Sequence, residues 1–121
     1  MKHLLLLIVT SYLLYGTAFD IEVFKAGPNP LVQQKDGLII NYTASIPHQS
    51  DYYIYNVTGQ RLKRISFENS SHCNTTNAGE CNFELLSTIE MQQLHKQLIV
   101  IIAVFKANNQ TIKKKRYVII K

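Results

Sequence analysis

Cysteine and histidine are the residue types in this chain with the widest chemical range, because they form disulfides, bind metals and transfer protons. The chain has two cysteines, Cys73 and Cys81, and four histidines. In an oxidising compartment the two cysteines would form a disulfide, which contributes roughly 2.5 kcal/mol by closing a short loop. The alternative is a metal pair assisted by His72 and His95, but the cysteine spacing matches no standard zinc motif. The sequence therefore predicts a Cys73–Cys81 disulfide, no metal site and no cofactor.

The remaining titratable residues show no catalytic arrangement. His48, His72 and His95 fall in loops or at a helix end, where we expect them to be exposed to solvent. The eight Asp and Glu residues do not pair in a recognisable site, and the sequence has no nucleophile elbow and no His-Asp-Ser order. We therefore predict that the protein is not an enzyme. A small hydrolase or metal protein remains as an alternative that a metal assay would test.

Basic residues form the strongest local charge in a chain whose formal net charge is +5. Lys113 and Lys115 in the C-terminal run, together with Arg61 and Lys63 of an earlier strand, are the candidate surface for binding an anionic envelope component. Alternate residues of a strand point to opposite faces, so at most half of the C-terminal run forms one patch. Lysines on an edge strand also protect against aggregation. The charge density is too low to predict a specific nucleic-acid partner.

Asn-x-Ser/Thr sequons are frequent in this sequence. In a eukaryotic secretory pathway they would be glycosylation sites, although polar β-proteins also produce them by chance. The sequons begin at Asn41, Asn56, Asn69, Asn74 and Asn109. Glycosylation is therefore expected only if the chain is made by a eukaryotic cell.

The N-terminal residues predict export. A short basic start is followed by an apolar run over residues 4–14 and by the small residues Gly16-Thr17-Ala18. This pattern is typical of a signal peptide cleaved after Ala18, and the apolar run is shorter than the ~20 residues that span a bilayer. We predict a signal peptide over residues 1–18 and a single domain over residues 19–121. The mature chain would have no transmembrane segment and would be periplasmic, cell-surface or secreted.

Period-two alternation and turn residues predict an all-β protein. The predicted strands cover residues 20–24, 38–46, 51–57, 61–67, 82–86, 98–105 and 111–121. One short helix begins at Ser87, with Glu90 completing a capping box, and ends near His95. Residues 98–105 are apolar on both faces, which predicts a central strand with both faces covered. About seven strands with short connections favour an immunoglobulin-like antiparallel β-sandwich.

Short motifs occur in a recognisable order along the mature part of the chain: Pro28-Asn29-Pro30, Leu38-Ile39-Ile40-Asn41-Tyr42, Ile54-Tyr55-Asn56-Val57-Thr58-Gly59 and the basic strand over residues 113–121. In these motifs the chain resembles the C-terminal β-sandwich domains of the type IX secretion sorting family and the immunoglobulin-like domain of flagellar hook-capping proteins. The resemblance implies an exported bacterial β-sandwich more strongly than it implies a sorting signal.

The expected function follows from the export signal, the sandwich fold and the lack of a catalytic motif. We predict a non-catalytic exported module that binds a protein partner or an anionic envelope surface. The expected contact surfaces are the four basic residues named above and the disulfide-closed loop over residues 69–81. The alternative is a secreted, glycosylated immunoglobulin-like recognition domain of a eukaryote or a virus.

Overall fold

Two antiparallel sheets pack face to face in the computed structural model, which describes residues 18–73 and 79–121. The elements in chain order are β1 (Ile21–Gly27), β2 (Leu38–Ala44), β3 (Gln49–Asn56), β4 (Arg61–Phe67), β5 (Glu80–Leu86), α1 (Thr88–Gln92), β6 (Leu98–Ala107) and β7 (Gln110–Ile119). The first sheet has the order β1-β2-β5 and the second the order β4-β3-β6-β7. The predicted all-β, immunoglobulin-like sandwich with one short helix is confirmed.

The core forms because alternate side chains of each strand point between the sheets. Along β2 the burial pattern alternates strictly between buried and exposed residues, and β6 follows the same period. Aromatic rings fill the centre, where the Tyr42 and Phe105 ring centroids lie 4.8 Å apart in an edge-to-face arrangement. Tyr52 is also fully buried in this cluster, whereas its neighbour Tyr53 points outward and is half-buried.

Helix α1 begins as predicted but is shorter. The Ser87 side chain accepts a hydrogen bond from the Glu90 backbone N–H, and the Glu90 carboxylate accepts one from the Ser87 N–H, each at 3.1 Å. This capping box satisfies two donors at the start of the helix. After Gln92 the backbone makes tighter bonds to the third preceding residue, from Gln93 to Glu90 and from Leu94 to Met91. The α-helix therefore ends at Gln92 rather than near His95.

Strand β6 corrects one expectation about packing. It lies between β3 and β7, so the prediction of a central strand is confirmed. Its side chains at Ile99, Ile101, Ala103 and Phe105 are buried in the core, but the alternate ones are only half-buried. Two layers can cover only one face of each sheet, and no described element covers the outer face of the four-stranded sheet. The expectation that both faces of β6 are covered is therefore wrong.

Residues 1–17, which make up nearly all of the predicted signal peptide, lie outside the described residues, as does the sequon residue Asn74. Among residues 18–73 and 79–121, no helix has the length and apolar character needed to cross a membrane.

Candidate functional site

The outer face of the four-stranded sheet carries a continuous apolar strip along its two central strands. These side chains are half-buried and alternate with fully buried neighbours, so they point away from the core. The strip, called here the central strip, consists of Tyr53, Tyr55, Val100, Ile102 and Val104. Such a contiguous exposed apolar surface is typical of an interaction site.

Cations flank the central strip on the two edge strands. The strand register aligns Arg64 of β4, Tyr53 of β3, Ile102 of β6 and Lys115 of β7 in one row across the sheet. Neighbouring strands are about 4.8 Å apart, so the Cα atoms of the two basic residues lie roughly 14 Å apart. The row therefore presents an apolar centre between two positive charges.

Two of these cations lie against aromatic rings. The Arg64 guanidinium carbon is 5.4 Å from the Tyr53 ring centroid, and the Lys115 ammonium nitrogen is 5.3 Å from the Tyr117 ring centroid. Arg64 also lies 3.6 Å from an oxygen of Asp51. Exposed contacts of this kind are weak, about 1 kcal/mol or less each. They hold the charges close to the sheet surface while leaving them available to a partner.

The four basic residues predicted from the sequence as a binding surface do not lie on one face of the four-stranded sheet. Lys113 and Lys115 pair with outward residues of β6, and Arg61 pairs with Tyr55, so these three belong to the outer face. Lys63 instead pairs with the buried Ile54, and its Nζ lies 3.5 Å from a carboxylate oxygen of Glu90 in α1. Lys63 therefore belongs to the inner side of the sheet.

A β-bulge explains this difference and places Arg64 on the outer face in the position expected for Lys63. The register shifts between Ile54 and Tyr55, so that β4 contains an extra residue at Leu62. A bulge reverses the alternation of side chains beyond it. Arg64, not Lys63, therefore joins Arg61 on the outer face. Strict alternation of side chains along β4 would place Arg64 on the inner face. The bulge that turns it outward is not visible in the sequence.

The predicted disulfide between Cys73 and Cys81 is confirmed, with an S–S distance of 2.02 Å. It connects the loop after β4 to β5. The Nε2 atom of His72 lies 3.9 Å from each sulfur. The His72 ring stacks on Phe67, with 3.8 Å between the centroids, and burial lowers the pKa of His72. The disulfide and this oriented imidazole form a compact group, called here the disulfide cluster.

His48 is buried and His72 is half-buried, which corrects the expectation of solvent-exposed histidines for both. The Tyr42 hydroxyl donates to His48 Nε2 at 2.6 Å, and His48 Nδ1–H donates to the Ile46 carbonyl at 3.0 Å. Burial lowers the pKa of His48 and raises the pKa of Tyr42, so both side chains are neutral near pH 7. Of the three histidines within the described residues, His95 alone is exposed as expected. The sequence places His48 in a loop but does not reveal that the loop folds over the aromatic core.

The described sequons lie away from the outer face of the four-stranded sheet. Asn41 is exposed on the outer face of the three-stranded sheet, and Asn69 and Asn109 are exposed in loops. Asn56 ends β3 opposite the buried Ile99, and its side-chain oxygen accepts hydrogen bonds in the turn that follows. Glycans at these positions would leave the central strip uncovered.

No family model, curated protein or solved structure matches this chain. The resemblance to type IX sorting and hook-capping domains therefore stays a prediction.

Proposed function

We propose that this protein is an exported, non-catalytic β-sandwich that binds another protein through the outer face of its four-stranded sheet. The observation that carries the proposal is the central strip, whose side chains are apolar or aromatic, contiguous and half-exposed. Covering such a surface releases roughly 25 cal/mol for each Å² of apolar area removed from water. Tyrosine and arginine, which are both present here, are enriched at protein–protein interfaces.

The charges around the strip define the chemistry of the partner. Four cations flank the strip, with Arg61 and Arg64 on one side and Lys113 and Lys115 on the other. Asp51 is an acidic side chain on the same face of the sheet. A complementary partner surface has an apolar centre and carboxylates at its rim, because opposite charges across an interface steer association and fix orientation. A second copy of this chain would bring like charges together, so the proposed partner is a different, acidic protein.

An anionic polysaccharide surface is the competing partner. It would attract the same four cations, but it would gain little from the apolar side chains between them. Removing apolar area while keeping the charge constant therefore distinguishes a protein partner from this competing partner. Replacing Ile102 with Ser should weaken binding to a protein partner and should leave retention on an anionic resin unchanged.

A second candidate function is a secreted, glycosylated recognition domain of a eukaryote or a virus. The observation that favours it is the exposure of Asn41, Asn69 and Asn109 away from the central strip. Glycans there would shield the other sheet and the loops while leaving the binding face accessible. Mass spectrometry of the native protein tests this candidate, because glycan mass is present only if the sequons are used.

Site-specific photo-crosslinking in the producing cells tests the main proposal. A benzophenone side chain in place of Tyr55 should capture one partner, whereas the same group in place of Thr43 should not. Thr43 is a matched control because it is exposed at the outer face of the opposite sheet. Equal capture from both positions, or capture from Thr43 alone, would contradict the proposed binding face.

A further inference from the structure

The disulfide cluster contains three side chains of the types that bind metal ions, but two of them are joined to each other by the disulfide bond. We propose that, once the disulfide is reduced, the chain binds one thiophilic divalent cation such as Zn²⁺ through Cys73 Sγ, Cys81 Sγ and His72 Nε2. The proposal is independent of the partner-binding face. In the oxidised chain the same sulfurs are joined to each other and carry no charge, so the site exists only in the reduced state.

The distances already approach those of a tetrahedral site. The three ligand atoms lie within 4.8 Å of one another, and His72 Nε2 is 3.9 Å from both sulfurs. Zn–S bonds of about 2.3 Å and Zn–N bonds of about 2.0 Å place tetrahedral ligand atoms roughly 3.5–3.8 Å apart. The histidine is therefore positioned for coordination, and the required movement is the separation of the two sulfurs after their bond is broken.

Neighbouring groups fix the orientation of the imidazole. His72 Nδ1–H donates to the Asn69 carbonyl oxygen at 3.0 Å, which leaves the Nε2 lone pair directed at the sulfurs. The ring is held between Phe67, whose plane is nearly parallel at 12°, and Phe83, whose ring meets it edge-on. A histidine whose second nitrogen donates to a backbone carbonyl is the usual form of a metal ligand.

Charge balance also favours a divalent cation. Two thiolates and one neutral imidazole carry a charge of −2, which a divalent cation neutralises. Cys81 is buried and Cys73 is half-buried, and an unpaired thiolate there would carry a large desolvation cost. Cysteine and histidine together select zinc and similar borderline or soft cations over calcium and magnesium.

The cation has a route of entry and an open coordination position. A cavity of about 280 Å³ is lined by both cysteines and by polar residues that include Ser45, Ser70 and His48. A water molecule from this cavity can complete a four-coordinate site, as in three-ligand zinc centres.

The chemistry balances with a small thiol as reductant. Two thiol molecules are oxidised to a disulfide, transfer two electrons to the Cys73–Cys81 bond and release two protons. Both cysteine thiolates then coordinate the cation. The cation replaces the disulfide as the connection between the loop after β4 and strand β5, so the loop stays attached in either redox state.

Cobalt titration of the purified protein tests the proposal. A phosphine reductant opens the disulfide, Co²⁺ serves as the spectroscopic probe, and Zn²⁺ serves as the competitor. We expect one Co²⁺ for each reduced chain, with the absorption bands of a tetrahedral thiolate complex, displacement by Zn²⁺ and no uptake by the oxidised chain. Circular dichroism at each step reports whether the β-fold is kept.

Matched variants make the test specific. His72→Ala should weaken Co²⁺ binding by roughly tenfold or more, because it removes a ligand without touching the sulfurs. His95→Ala should bind like the unmodified chain, because His95 is exposed and does not belong to the group. No uptake by the reduced chain, equal uptake by the oxidised chain, uptake only after the β-fold is lost, or unchanged binding by His72→Ala would each overturn the proposal.

Discussion

The stability of this protein should fall as the pH drops below about 6.5, because His48 is buried in its neutral form. Burial lowers the pKa of His48 below its ordinary value. Between the folded and the unfolded pKa the unfolded chain binds more protons, so acid favours unfolding. The stabilisation from neutral His48 is complete when the pH is above the pKa of His48 in the unfolded chain. It is lost progressively as the pH falls towards the pKa of His48 in the folded chain.

The size of the effect follows from the contacts of His48. Within that interval a single histidine lowers the free energy of unfolding by up to about 1.4 kcal/mol for each pH unit. Protonated Nε2 can no longer accept the 2.6 Å hydrogen bond from the Tyr42 hydroxyl. That hydroxyl cannot respond by ionising, because burial raises its pKa. His72 adds an effect of the same sign, since burial also lowers its pKa.

Urea unfolding at several values between about pH 8 and pH 5 measures this dependence. His48→Gln removes one titrating group and should make the slope of stability against pH shallower, with the contribution of His72 remaining. His95→Gln is the matched control and should keep the full slope, because His95 is exposed. Identical slopes for His48→Gln and the unmodified chain, or stability that rises as the pH falls, would refute the reasoning.

Two further predictions concern stability. Replacing Cys73 and Cys81 with Ala should lower the free energy of unfolding by roughly 2.5 kcal/mol, because the disulfide no longer restricts the unfolded chain; an unchanged urea midpoint would contradict this. Ser87→Ala should cost about 1 kcal/mol through loss of the capping box, whereas Ser87→Thr should cost less; equal losses in thermal unfolding would show that the cap is not responsible.

The strands and the helix cap could be predicted because their signals are local. Strand β4 covers Arg61–Phe67 as predicted, and the opposite orientations of Tyr52 and Tyr53 follow from period two. The cap at Ser87 could be recognised because its partner lies three residues away. Each of these features depends on neighbouring residues in the sequence and on standard backbone geometry.

The binding face could be predicted only in part, because its composition depends on register and layering. Arg61, Lys113 and Lys115 were found by alternation, but the bulge that replaces Lys63 with Arg64 depends on how β3 and β4 pair. The apolar composition of β6 predicted a central strand. The same composition could not show what covers the outer face of β6. A strand face that is buried within the protein and one that is covered by a binding partner are both apolar.

The burial of His48 depends largely on contacts between distant parts of the chain. The burial of His48 comes from its packing against Phe19, Tyr42 and Phe105. The sequence placed His48 in a loop, and loops are normally on the surface. The contacts with Phe19 and Phe105 join residues far apart in sequence, so no local pattern indicates them.

The affinity of charge-reversal variants for the crosslinked partner tests the proposed binding face most directly. The double variant Arg64→Glu with Lys115→Glu changes one cation on each side of the central strip. Lys25→Glu with Lys35→Glu makes the same change in net charge at exposed positions outside that face. We predict that the first pair weakens binding by roughly tenfold or more, which is about 1.4 kcal/mol, and that the second has little effect. Equal weakening by both pairs, or unchanged affinity for the first, would contradict binding through the four-stranded sheet.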